Sequence, residues 1–274
     1  MSTSLPIDQA QGLRRLFAHS QVRFVPVVSN PHLRSGGLML ERLCGAFSAR
    51  GVRTLVVDAS ERAGKPSEMA LLDFAECIEP LSPQVAYVAA RGLPMAFVNA
   101  VGSSHDFLQT VAQAAPGTQV VLLHAPAADL CRLFGRGSRG ADAVPLCPLL
   151  LAGDHAASVT HAFASMKLLA QRAGLMVQEL MLGLADASPR AERIAMQMAL
   201  CAQDFAGAVL RDWLRVDPAA GAAAAPTPAL RYWAQQRLRG DDHDGLAPAA
   251  EVFGRGHAPP PTGTRFAASN WAFA

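Results

Sequence analysis

The chain has 274 residues, 51% of them apolar, which is enough for one α/β domain with a tail or at most two small domains. Its 24 basic and 22 acidic residues leave a net charge of +2, which excludes a bulk electrostatic case for nucleic acid. No run approaches the roughly 20 apolar residues that span a bilayer, and Asp8 and Gln9 stand where a signal peptide would place an apolar stretch.

In chain order, Asp8-Gln9-Ala10-Gln11-Gly12-Leu13-Arg14-Arg15-Leu16 reads as an N-terminal helix with Leu13, Leu16 and Phe17 available for packing and Asp8 suited to the helix dipole. Gln21 to Val28 reads as a buried strand, and Ser29 to Gly37 is rich in turn residues. An amphipathic helix is predicted from about Leu38 to Arg50, with Leu40, Leu43, Cys44 and Phe47 on one face; Gly51 ends it. Val52 to Val57 returns as an apolar strand closing on Asp58. Farther on, Glu68 to Cys77 reads as a short helix. Val85–Ala89 and Met95–Asn99 read as short strands joined by the turn signal Arg91-Gly92-Leu93-Pro94, forming a hairpin or edge ribbon. A helix capped by Ser103 runs to Ala115, then a strand to Leu123. Leu146 to Ala152 is an apolar run of the kind buried in a parallel sheet. A helix from Ala156 to Arg172 follows, stopped by Gly174; Leu175–Leu182 is expected as the last strand and Pro189–Leu214 as the last helix. Repeated strand–helix alternation predicts an α/β fold with a mostly parallel sheet and helices on both faces. Beyond Asp217, Ala, Pro and Gly dominate and periodicity fades, so 217–274 is expected to be a flexible tail. Its one island, Ala229–Arg239, carries Leu230, Trp233 and Leu238 among arginines and is read as a short amphipathic helix that docks back on the domain or contacts a membrane weakly. Five cysteines (Cys44, Cys77, Cys131, Cys147, Cys201), odd in number and without a C-x-x-C pair, predict buried thiols in a reducing cytosol and neither a disulfide framework nor a zinc site.

Strand, phosphate-type loop, helix, Gly stop and a strand ending in Asp is how a P-loop NTPase begins. Residues 22–60 resemble the MinD/ParA class of deviant P-loop ATPases, whose loop reads roughly S-G-K-G-G-V-G-K-T. Laid on that pattern, Ser29 matches, Pro31 falls at the signature lysine, Gly36 at the second lysine and Gly37 at the magnesium-binding Thr. No Lys precedes Lys65. Asp58-Ala59-Ser60 resembles the D-A-D that follows, with its second acid lost, and Gln119–Pro126 resembles the next nucleotide-proximal strand, with His124 for its Asp and Ala125 for its Thr. Gly153 to Leu169 is similar to the strand-proximal P-E-P-T-S-I-T-D-A-Y-A-L-I-K-L-L segment of the class. Asp8, Gln9, Ala10, Leu13 and Arg14 match the D-Q-A-x-x-L-R motif of FlhG/FleN flagellar-number regulators, which are MinD-like.

The resemblance covers roughly residues 8–205 and implies three parts: an activator helix in 1–20, a degenerate three-layer MinD-like P-loop domain in 21–216, and the tail. It implies a cytosolic pseudo-ATPase that regulates flagellar biosynthesis, recruited to the pole or membrane by its partner. In that family the N-terminal helix stimulates an FlhF-like GTPase of the signal-recognition-particle type. Gln9 would orient the attacking water, Leu13 would anchor in an apolar groove and Arg14 would pair with acidic or phosphate groups. Other flagellar assembly or regulatory proteins are further expected partners, and no cofactor is expected. The competing expectation is a nucleotide-binding switch, with residual ATP and magnesium held through Ser35, Gly36, Gly37, Arg34 and the helix N-terminus. A third is an enzyme that reuses the crevice through Asp58, His124 and Asp154. His155 and His161 are six apart, off the i, i+4 spacing of a helical metal pair, and no G-x-S-x-G elbow supports a hydrolase triad from Asp154, His155 and Ser158 or Ser165.

Overall fold

A computed structural model describes residues 22–135, 146–220 and 224–239. The Asp8–Arg14 motif therefore lies outside the described residues, as does the chain beyond Arg239. Among the described residues eight strands form one sheet: β1 Arg23–Val28, β2 Thr54–Asp58, β3 Glu79–Ser82, β4 Val85–Ala89, β5 Val120–Ala125, β6 Leu149–Ala152, β7 Val177–Gly183 and β8 Val209–Val216. Their order is β3-β4-β2-β5-β1-β6-β7-β8, and every pairing is parallel except β3 with β4. Such a sheet is buried on both faces, so β6 and, up to His124, β5 read as continuous apolar runs without alternation.

Among the described residues seven α-helices complete the layers: α1 Gly36–Ser48, α2 Leu93–Ala96, α3 His105–Ala114, α4 Ala127–Phe134, α5 Ala156–Leu168, α6 Arg190–Cys201 and α7 Pro228–Leu238. One core cluster joins α3, α4, α5 and α6 to one sheet face, and a second joins α1 and α7 to the other. The expected three-layer α/β architecture is thus present. The predicted face of α1 is the buried one, with Leu40, Leu43, Cys44 and Phe47 inside. Gly51 ends α1 at φ 70°, a left-handed conformation that a side chain would strain. Pro26 sits in the central strand without an N–H to give; β1 pairs with β5 over six residues, but its ladder to β6 begins only at Val27.

Three expectations are corrected. Met95–Asn99 is not a strand: Leu93–Ala96 is helical, with Pro94 in its first turn, where its missing N–H costs nothing. The antiparallel partner of β4 is instead β3, wholly exposed. Glu68–Cys77 is two 3-10 turns, Glu68–Leu71 and Ala75–Cys77. The helix expected over Pro189–Leu214 ends in a π turn at Ala202–Ala206, Gly207 turns at φ 60°, and β8 follows as a further strand.

The folded domain also extends past Val216. Arg42 of α1, 7% exposed, donates to the carbonyls of Ala220 and Ala224 at 2.6 and 2.9 Å. Thr227 caps α7 by accepting from Leu230 N at 3.2 Å, and Leu230, Trp233 and Ala234 are buried. Trp233 meets Phe47 of α1 edge-on, its ring centroid 5.9 Å away. The Ala229–Arg239 island is therefore a docked helix, and the tail expected from residue 217 does not begin there. All five cysteines are free.

Candidate functional site

The carboxyl ends of β1, β2 and β5, with the N-terminus of α1, surround a crevice of about 220 Å³. Among its lining residues are Ser29, Asn30, Pro31, Arg34, Gly36, Gly37, Asp58, Ser60, Glu61, Arg62 and His124. Of the expected degenerate nucleotide site, Pro31, Arg34, Gly36, Gly37, Asp58 and His124 are brought together here, while Ser35 stands behind them. Asp154 is elsewhere, facing Arg190 at 3.5 Å.

The loop from Ser29 to Ser35 turns its polar groups inward. Asn30, 7% exposed, donates from Nδ2 to Leu151 O at 2.8 Å, Ser158 O at 2.9 Å and Ser158 Oγ at 3.0 Å. Its Oδ1 accepts from His32 N at 3.1 Å, and its carbonyl accepts from Leu33 N at 3.0 Å. Pro31 has no amide to offer. Leu33 is buried against Gly153, where an added Cβ would meet its Cδ1 at 3.1 Å. Gly183 leaves room in the same way for Ser35, whose Oγ would be 2.9 Å from a Cβ there. The loop is thus fastened down on the ends of β6 and β7.

Charged groups complete the crevice. Ser29 Oγ donates to Glu61 Oε2 at 3.0 Å, which sets a carboxylate at the entrance of the loop. Arg62 spans the loop from outside, donating to Leu33 O at 3.1 Å and also to Pro31 O. Burial raises the Asp129 carboxyl, the Arg132 charge opposes that, and the Glu61 charge adds to it. Gly36 and Gly37 have open space where a Cβ would stand.

Asp58 and His124 meet at 2.9 Å, Oδ1 to Nδ1, from strand ends held side by side in register. The His124 ring is 7% exposed, and its Nε2 has no partner among the described residues. Burial pushes the Asp58 carboxyl up, but the His124 hydrogen bond and charge, with Ser60 N donating at 3.1 Å, outweigh it and hold Asp58 below the ordinary carboxylate range. Because the folded value is lowered, the ionised form stabilises the fold above the ordinary range, and that contribution is lost as pH falls through the lower, folded value. Urea midpoints measured from about pH 7 to about pH 3 are therefore expected to fall less steeply in Asp58→Asn than in the parent chain. Parallel curves would show that the pair contributes nothing to acid sensitivity.

Sequence reasoning found the crevice but missed Glu61, Arg62 and the bracket from Asn30 to Ser158. The available signal was the charged pair Glu61-Arg62 standing directly after Asp58-Ala59-Ser60.

No family model matches the chain, and no curated protein matches it. Solved structures do. The cobyrinic acid a,c-diamide synthase of Mycobacterium smegmatis, solved with a bound ATP analog and magnesium, is 12% identical over 80% of this chain and 95% of that one, with a TM-score of 0.54. A ParA family ATPase of Chlorobium tepidum is 14% identical over 79% and 98%, with a TM-score of 0.51. The MinD cell division protein of Aquifex aeolicus is 9% identical over 78% and 96%, with a TM-score of 0.49. The fold is shared with the ParA family ATPase and the diamide synthase, and at these identities the likeness extends to the fold alone. Among the described residues no helix is long and apolar enough to cross a membrane.

Proposed function

We propose that this chain is a non-hydrolysing, MinD-like regulator of flagellar biosynthesis. It acts as an adaptor that stimulates an FlhF-like GTPase through Asp8, Gln9, Ala10, Leu13 and Arg14. What supports the non-hydrolysing half is the inward turn of the loop: the amides of His32 and Leu33 are engaged by Asn30, and Pro31 has none. A phosphate-binding loop works by presenting such amides outward, backed by a lysine. Here Arg62 caps loop carbonyls instead, and the Glu61 carboxylate stands where it would repel a phosphate. His124 engages the Asp58 carboxylate that would otherwise serve magnesium. The residues present therefore do not fit a magnesium nucleotide. The adaptor half is supported by the intact D-Q-A-x-x-L-R match, with Gln9 as the group that orients water in the partner's site.

The competing reading is a nucleotide switch, supported by the fold and by the open space at Gly36 and Gly37. Magnesium ATP separates the two. A ligand at about 100 times its dissociation constant stabilises a protein by roughly 2.7 kcal/mol. Millimolar magnesium ATP is expected to leave the melting temperature unchanged; a rise of several degrees would establish the switch and overturn the pseudo-ATPase reading.

A further inference from the structure

We propose that His32 and His161 form a two-imidazole site for a divalent transition-metal ion of the zinc, nickel or copper class, which clamps the loop 29–35 to α5. The site is separate from the adaptor reading and does not depend on it. The two ring centroids are 5.7 Å apart and the planes are inclined at 69°. An ion about 2.1 Å from an imidazole nitrogen stands roughly 3 Å from the centre of that ring, so two rings on one ion have centres roughly 5 to 5.5 Å apart. A small side-chain rotation closes the difference. Among the described residues neither ring makes a hydrogen bond or an ion pair, and neither nitrogen of His161 is shut away from solvent. Other histidines of the site region are engaged: Nδ1 of His124 holds Asp58, and Nδ1 of His155 accepts from Ala157 N at 3.3 Å.

The backbone on both sides is fixed before any ion arrives, which keeps the ordering cost of the site small. Asn30 donates to Ser158 Oγ at 3.0 Å in the first turn of α5, and its Oδ1 takes His32 N at 3.1 Å. Leu33, the next residue, is buried. His32 is thereby presented to α5 one turn beyond Ser158, where His161 stands. His32 is exposed and His161 half-buried, so an ion enters from solvent. Imidazole nitrogens suit zinc, nickel and copper, whereas magnesium and calcium call for oxygen ligands. Asp154, the carboxylate just before α5, is occupied with Arg190 at 3.5 Å. Among the described residues no third His, Cys, Asp or Glu joins the pair, so water completes the coordination and the ion binds reversibly. Along α5 itself His161 has no metal-spaced partner; the loop supplies one. An edge-on ring pair also packs without an ion, so the metal itself has to be measured.

Calorimetric titration of the full, tag-free chain with Ni2+ tests this. One ion per chain is expected, and His32→Ala and His161→Ala are each expected to weaken binding at least about tenfold, as when part of a metal's ligand shell is lost. His161→Gln, which keeps the bulk of the side chain, should behave like His161→Ala, and circular dichroism confirms that each variant is folded. With Cu2+ as the probe, electron paramagnetic resonance should show two coordinated imidazoles in the parent and one in either variant. Ni2+ at about 100 times its dissociation constant should slow amide exchange at His32 and Leu33 by up to about 100-fold, because opening the loop breaks the site. No binding by the parent would overturn the proposal. So would binding that is unchanged in either single variant, which would place the ion on other histidines of the chain. One ion per two chains would put the metal between copies and overturn it too, and bound Ni2+ that leaves the loop amides unslowed would rule out the clamp.

Discussion

Glu179→Ala is expected to lower the unfolding free energy by about 3–5 kcal/mol, because it strips the partner from the largely buried Arg237 guanidinium and a buried indole. Glu179 lies in β7 at 3% exposure. One oxygen accepts from Arg211 Nε at 3.1 Å; the other accepts from Trp233 Nε1 at 2.6 Å and from Arg237. The Arg237 guanidinium also stacks on Trp233 at 5.2 Å, and its carbonyl accepts from Arg23 at 3.2 Å, so one carboxylate fastens α7 across β7, β8 and β1. Arg211 is half exposed and its share is screened by solvent. The cost falls on Arg237 and Trp233, left buried without an acceptor. Urea unfolding followed by tryptophan fluorescence measures it. A loss below about 1 kcal/mol would mean that α7 adds little to the domain.

Asn30→Ala is expected to cost about 2–3 kcal/mol, the penalty for leaving several buried groups unpaired at once. It removes the donor to the carbonyls of Leu151 and Ser158 and the acceptor for His32 N. It should also loosen the loop, raising amide exchange at His32, which loses its acceptor. If stability were unchanged, the loop would not depend on this bracket, and the argument that its donors are committed would fail.

Some of this was legible in the sequence, for physical reasons. The stretch from Arg23 to Asp58 carries its own punctuation, an apolar strand, an amphipathic helix and a glycine at positive φ, and each signal is local. The strand β8 was not legible. A bulge at Arg211, opposite Gln178 and Glu179, breaks its alternation, and Arg211 and Asp212 interrupt its apolar residues, so only Gly207 marked the change. The β3 edge, with four exposed residues and a proline, has no apolar face to detect. Helix α4 is eight residues long, too short for a firm period. Within the site, Asp58 was visible as the kept acid of a pattern and His124 as a substitution in it, but their pairing was not, since they lie 66 positions apart and meet only through strand register. The same applies to Asn30 and Ser158, separated by 128 positions. Glu61 and Arg62 were passed over because charged residues in a loop are ordinary; only the three-dimensional loop gives them a task.

In the proposed mechanism a GTPase is stimulated by a chain whose own phosphate loop turns its amides inward. The most direct test is GTP turnover by an FlhF-like GTPase with the full chain, with Gln9→Ala, and with a peptide of residues 1–20. We expect the full chain and the peptide both to accelerate hydrolysis, without ATP present. We expect Gln9→Ala to bind but stimulate at least about tenfold less, as when a positioned catalytic amide is lost. Unchanged stimulation by Gln9→Ala would remove that residue from the mechanism. Failure of both the peptide and the full chain to stimulate would contradict the account and leave Asp8–Arg14 an ordinary N-terminal segment.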